Sequence, residues 1–231
     1  MTFSEVMNKH LLDVESYLAN ANGTTGNNDK NIVSIPLLVQ GLPTDACDVG
    51  GIDQSVETWW ANLTSNSGTE TTGTWAMFKG ELMRLYHNLS KGAGGPPNLF
   101  ISDLATYEMY INLLDSKVRY VYTDKNPSVG FTGVSYFGAE WFWDYHVGCP
   151  DAGYNFDNAS YSLATMGAVY MLNTKFLDLV VGKGKDFKPS KFVEPYDKDG
   201  RVAKSVFYGQ LVCSNRKKQG VLEDITTSLV A

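Results

Sequence analysis

Val169-Tyr170-Met171-Leu172-Asn173-Thr174-Lys175-Phe176-Leu177, then Asp186-Phe187-Lys188-Pro189, then Phe207-Tyr208-Gly209-Gln210-Leu211-Val212-Cys213-Ser214-Asn215-Arg216-Lys217-Lys218-Gln219-Gly220-Val221-Leu222, is the part of the chain whose reading decides the fold. β-Branched and aromatic runs predict strands over 169–172 and 177–181 and a long one over 203–215. In the last, Val206, Tyr208, Gln210 and Val212 alternate, the pattern a half-buried antiparallel sheet uses. Immediately upstream, the runs at 118–122, 132–137 and 139–145 predict further strands, and residues 151–160 a loop.

Working outward, helices occupy the first half. Phe3, Met7, Leu11, Val14 and Leu18 form one apolar stripe, predicting a helix over 3–20, with Thr2 and Glu5 as a capping box. Residues 24–34 are a polar loop, and Ile35-Pro36-Leu37-Leu38-Val39 reads as extended or turn structure rather than helix. The Ser/Thr/Asn/Gly run at 64–73 reads as an exposed linker. Trp75, Phe78, Leu82, Leu85, Tyr86 and Leu89 have helical spacing, with Thr74 as N-cap and Gly92 as C-cap. After the break at 91–97, a short strand over 98–101 runs into Ser102, a cap for a helix carrying Leu104, Tyr107, Ile111 and Leu114. Strand followed by helix repeats an α/β pattern here.

At 231 residues, with 43% hydrophobic and 19% charged residues, the chain can bury a sizeable core as one large domain or two modest ones. A net charge of −6 argues against a nucleic-acid binder that works by neutralising phosphate, so any contact with DNA should be local. Cys47, Cys149 and Cys213 are odd in number and far apart, a poor disulfide framework. Residues 1–20 mix charges into their apolar positions and make no signal peptide, and no run reaches the length of a membrane span. The sequons at Asn22, Asn62, Asn88 and Asn158 read as chance.

Several constellations invite a chemical reading. Glu140 and Asp144 flank Trp141 and Trp143, and paired carboxylates beside aromatics suit a glycoside-cleaving or carbohydrate-binding cleft. On a strand, however, Glu140, Phe142 and Asp144 share one face and the two Trp the other, which is the ordinary pattern of a strand with a buried Trp pair. His146 and Cys149 are two ligands where a structural zinc site needs four. Asp151, Gly153, Asn155 and Asp157 resemble the start of a calcium loop, but Phe156 stands where that loop needs Gly. Lys91-Gly92-Ala93-Gly94-Gly95 lacks the Lys-Ser/Thr of a phosphate loop, and Pro96-Pro97 removes amide donors. Arg216-Lys217-Lys218 reads as a solvated surface ahead of a nucleic-acid or inter-subunit contact. No catalytic, cofactor-binding or metal-binding residue is assigned.

The C-terminal series quoted above resembles the tail of the tailed-bacteriophage (Caudovirales) major capsid protein family. Two further stretches match in order: Val49-Gly50-Gly51-Ile52-Asp53 followed by Trp59-Trp60, and Pro96-Pro97-Asn98-Leu99-Phe100-Ile101. The resemblance implies an α+β tailed-phage major capsid fold. Its peripheral domain has a spine helix and a long antiparallel sheet, here 1–70 with 174–212. Its axial domain has a central sheet flanked by helices, here 71–173 with 213–231. Helix 3–20 would take the spine position, helices 74–91 and 102–116 the axial ones, and 203–212 a long peripheral strand. Family members carry an N-terminal arm and an extended loop before the spine helix; Met1 stands almost at the helix start, which implies a shortened chain, and no crosslinking lysine is assigned.

The implied function is structural: self-association into pentameric and hexameric capsomers that close an icosahedral shell around double-stranded DNA, through many weak contacts. The implied partners are further copies of the chain, with scaffold, portal and decoration proteins, and DNA only by weak local contact, with no membrane and no cofactor. The implied location is the phage head, after synthesis in the host cytoplasm. The rival readings are a cellular nanocompartment shell, a saccharide cleft built on Trp141, Trp143, Glu140 and Asp144, and a scaffold or tail-associated protein of small fixed oligomeric state.

Overall fold

The computed structural model describes residues 32–41, 48–66, 75–113, 134–144, 147, 166–194 and 200–226. The expected helix over 3–20, its capping box, the strand over 118–122, the Thr74 cap, His146 with Cys149, and the loop at 151–160 lie outside the described residues.

The chain order is α1 (Ile35–Leu38), β1 (Asp48–Val49), β2 (Ile52–Asp53), β3 (Leu63–Asn66), α2 (Trp75–Ser90), β4 (Leu99–Ser102), α3 (Leu104–Leu113), β5 (Val134–Tyr136), β6 (Ala139–Trp143), β7 (Met166–Leu172), β8 (Leu177–Val181), β9 (Gly209–Cys213) and β10 (Gly220–Thr226). One six-stranded mixed sheet, in the order β3-β10-β7-β4-β6-β5, forms the body. β10 runs parallel to β3 and antiparallel to β7, and β4 runs parallel to β6 and antiparallel to β7.

Alternation along the strands divides this sheet into two apolar faces. Val169 and Met171 of β7, Phe100 of β4 and Trp141 of β6 pack with Phe78, Leu82, Leu85 and Leu89 of α2 and with Tyr107 and Tyr110 of α3. Ala168, Tyr170, Leu172 and Val221 pack on the other face with Leu38, Val39 and Val49. Both long helices therefore lie on one face. β10 keeps Leu222 and Ile225 on the helix side although they are three residues apart, because its register shifts between them. Gly167 permits the close approach of α3, since a Cβ there would stand 1.9 Å from Thr106 Oγ1.

Four local expectations change. Residues 35–38 form one helical turn, not extended chain; Pro36 sits in the first turn, where its missing N–H costs nothing, and Val39 N–H donates to Ile35 O at 2.8 Å. The first residues of the expected linker are strand β3, paired with Gly220–Glu223. Asp103, not Ser102, caps α3: its Oδ2 accepts from Thr106 N–H at 3.0 Å, while Ser102 is the last residue of β4. The strand expected over 203–215 is ordered as β9 only from Gly209 to Cys213, and residues 200–208 keep isolated bridges.

β8 and β9 form a separate antiparallel pair, Leu177 opposite Cys213 through Val181 opposite Gly209. The pairing continues outward. Gly182 N–H donates to Tyr208 O at 2.8 Å, Ser190 N–H to Lys204 O at 2.8 Å, and Val193 and Val202 exchange both bonds at 2.9 Å. Phe187 stacks on Phe207 at 4.6 Å on the way. The result is a two-stranded ribbon.

Candidate functional site

The aromatic strand can be placed first. Trp141 is 0% exposed; its indole N–H donates to Ser102 Oγ at 2.8 Å, and its ring stacks on Tyr110 at 4.4 Å. A side chain so enclosed cannot stack on a saccharide, so the cleft built on Trp141, Trp143, Glu140 and Asp144 is not assembled. Trp143 shares the core side with Trp141, half-buried, while Glu140 lies on the other face. Tyr136, packed in the same cluster, has its hydroxyl pKa pushed up to about 12, first by burial and then by its neighbours Tyr110 and Tyr86. Phe137 and Gly138, both at positive φ (48° and 83°), make the tight turn between β5 and β6.

The basic cluster does not lie in solvent as expected. Arg216 is 0% exposed, and Lys218 is buried too; Lys217 alone faces out. Arg216 Nε donates to Leu38 O at 2.6 Å, and its Nη2 to Gln54 Oε1 and Asn62 Oδ1, both at 3.1 Å, with the guanidinium 5.7 Å from the Trp60 ring centroid. Asn62 in turn exchanges hydrogen bonds with the Gln40 backbone. Lys218 Nζ donates to Leu89 O at 3.0 Å and Lys91 O at 2.6 Å, holding the carbonyl end of α2, where a cation is favoured. Each cation is thus surrounded by fixed acceptors, the condition under which burial of charge is tolerated.

Beside this hub, Asn173 and Gln219 clasp each other. Asn173 N–H donates to Gln219 Oε1 at 2.8 Å, and Gln219 Nε2 to Asn173 O at 3.1 Å. Asn173 Nδ2 reaches the carbonyls of Gly94, Gly95 and Pro96, so the glycine loop accepts hydrogen bonds from the protein instead of offering amides to a phosphate. Asn98 Nδ2 donates to Thr174 Oγ1 at 2.7 Å, and Thr174 N–H to Asn98 Oδ1 at 2.9 Å. Trp60 donates its indole N–H to Val49 O at 2.9 Å. Val49, Trp60, Asn98, Asn173 and Arg216–Gln219, spread along the sequence, meet at the point where the ribbon leaves the body between β7 and β10.

Cys213 is buried at the ribbon's root, and burial pushes its thiol pKa up, which leaves it poorly reactive. Farther out, the ribbon is exposed on both faces: Val180, Phe192, Val193, Val202, Val206 and Tyr208 all face solvent, Tyr208 at 73%. An isolated two-stranded ribbon is marginally stable in water, and exposed apolar groups in continuous array mark an interaction surface. Sequence reading placed the strands here and missed both the exposure and the buried cations; the lysine spacing from Lys183 to Lys191 was the available signal.

Among the described residues, no group of three or more His, Cys, Asp or Glu could hold a metal ion, and no helix is long and apolar enough to cross a membrane. The sequence matches no family model, and no curated protein is similar to it. Among solved structures, a chain of the cyanophage A-1(L) capsid asymmetric unit superposes with a TM-score of 0.56 at 15% identity, over 95% of this chain and 69% of that one. The chain has a phage capsid-like fold.

Proposed function

We propose that the chain is a structural coat subunit, which self-associates into the pentameric and hexameric capsomers of an icosahedral phage head enclosing double-stranded DNA, and which has no catalytic role. The observation that carries the reading is the fold likeness to a capsid chain over 95% of the length. The ribbon adds to it, because its exposed apolar side chains need cover that the described part of the chain does not provide. Residues 1–70 with 174–212 make the peripheral domain and 71–173 with 213–231 the axial domain. The hub at Asn173 and Arg216 sits at two of the junctions, and the first segment lends β3 to the sheet of the second. Further copies of the chain are the main partners, with scaffold, portal and decoration proteins as the others and DNA touched only locally. Light scattering with electron microscopy tests the reading. Rings or closed shells whose amount rises with protein concentration support it, whereas a chain that stays monomeric or forms one small fixed oligomer at every concentration removes it.

A further inference from the structure

Charge is distributed unevenly along the chain. Residues 31–78 contain five Asp and Glu and no Lys or Arg, a net charge of −5. Residues 182–208 contain seven Lys and Arg against four Asp and Glu, a net charge of +3 in a chain whose total is −6. The described residues of the basic segment, 182–194 and 200–208, are the outer part of the ribbon, where Lys183, Lys185, Lys188, Lys191 and Lys204 are exposed. Among the described residues the ion pairs are Glu81–Arg84 and Glu194–Arg201, so none of these lysines has a carboxylate partner among the described residues.

The acidic segment has its own exposed apolar feature. The turn that follows β2 carries Asp53 and Glu57, with Val56 72% and Trp59 57% exposed between and beside them. The turn is a formed structure. Asp53 Oδ1 accepts from Ser55 N–H at 2.8 Å and Ser55 Oγ at 2.7 Å, Glu57 N–H donates to Asp53 O at 2.9 Å, and the Glu57 carboxylate accepts from the Trp59 indole. Neither carboxylate has a Lys or Arg partner among the described residues. Two surfaces of one chain are therefore each part apolar and part charged, with opposite signs.

We infer that the outer ribbon of one copy, through Lys188, Lys191, Val193 and Val202, docks on the Asp53–Trp59 turn of a second copy. This rests on the coat reading and names the contact through which copies meet. The occupant is a second copy because the complementary charge and the complementary apolar groups are both present on the same chain. Among the exposed apolar residues of the ribbon, Val180, Val193, Val202 and Val206, which offer no stacking face, outnumber the aromatic Phe192 and Tyr208, which favours a protein surface over a nucleic acid held by phosphate contacts and aromatic stacking. The two patches differ, so outside a reciprocal two-fold pair the contact runs head to tail, an arrangement that gives rings when its rotation closes.

Sedimentation velocity of the whole chain, at about 0.05 and about 0.5 M salt, tests this, because screening acts on exposed charges. The native chain should associate into species larger than dimers, more weakly at high salt. Lys188→Glu with Lys191→Glu should lower association by about tenfold or more while leaving the melting temperature unchanged; Glu57→Lys, which spares the Asp53 hydrogen bonds that form the turn, should lower it too, and mixing the two variants should restore part of it through the swapped signs. If the native chain associates and both variants do so equally, the inference falls while the coat reading stands. A dimer that grows no further at any concentration overturns the head-to-tail direction and removes the coat reading too. Loss of binding to a DNA fragment without loss of association, in the lysine variant, assigns the ribbon to nucleic acid instead. A native chain that remains monomeric removes the coat reading and the inference with it.

Discussion

The six-stranded sheet and the ribbon are built from similar residues, yet their side chains have opposite fates. Val169, Tyr170, Met171 and Leu172 of β7 are 0–1% exposed, because helices cover one face of the sheet and residues around α1 and β1 the other. Val180, Val193, Val202 and Val212 have the same chemistry and remain in solvent, because a pair of strands has no second layer. The body is stabilised by its own packing; the ribbon is held chiefly at its root, where Leu177, Leu211 and Cys213 join the second core cluster. β Pattern alone thus specifies a strand, and only a covering layer makes it a core.

Substitutions should separate the two regions sharply. Trp141→Ala in the body should cost about 3–5 kcal/mol of unfolding free energy, read by chemical denaturation, since it empties a fully buried indole site. A loss under about 1 kcal/mol would mean the body is not one packed core. At the root, Arg216→Met leaves Leu38 O, Gln54 Oε1 and Asn62 Oδ1 short of a donor and should cost about 3 kcal/mol; amide exchange should quicken in β8 and β9 as well as in the body, tying the ribbon to its anchor. Lys218→Met removes two hydrogen bonds at the end of α2 and should cost about 1 kcal/mol. Out on the ribbon, Val193→Ser should change monomer stability by less than about 0.5 kcal/mol, because an exposed residue has little packing to lose. A large effect there would erase the contrast.

A separate effect concerns pH. The hydroxyl pKa of Tyr136 is raised by burial to about 12, above its ordinary value of about 10. A raised pKa favours the neutral form in the folded state, so the associated stability is fully present below about pH 10 and is lost as pH rises toward 12. Absorbance titration should show this tyrosine ionising late, and Tyr136→Phe should flatten the alkaline loss. Ionisation near pH 10 in the folded protein would place Tyr136 in solvent and weaken the account of the cluster.

Much of the element order was legible. Phe78, Leu82, Leu85 and Leu89 recur at helical spacing and line the buried face of α2, and the run at 177–181 is β8. The Trp pair of β6 points to the core as alternation requires. Ile35–Leu38 was misread because Pro36 was weighed as a breaker, and a first-turn proline is compatible with helix. β3 was misread because an edge strand of Leu63, Thr64, Ser65 and Asn66 has the composition of a linker and is specified by its parallel partner β10.

The linear sequence determined what depends on neighbours three or four residues away or on strict alternation: the apolar stripe of α2, the strands β6 and β8, and the segregation of acidic from basic segments. The tertiary structure decided which strands gained a covering layer, and it turned Arg216 and Lys218 from an apparent surface run into buried anchors. The physical reason is that a cation's cost of burial depends on acceptors supplied from distant segments, here the carbonyls of Leu38, Leu89 and Lys91 and the amide oxygens of Gln54 and Asn62, and those acceptors converge only when the chain has folded.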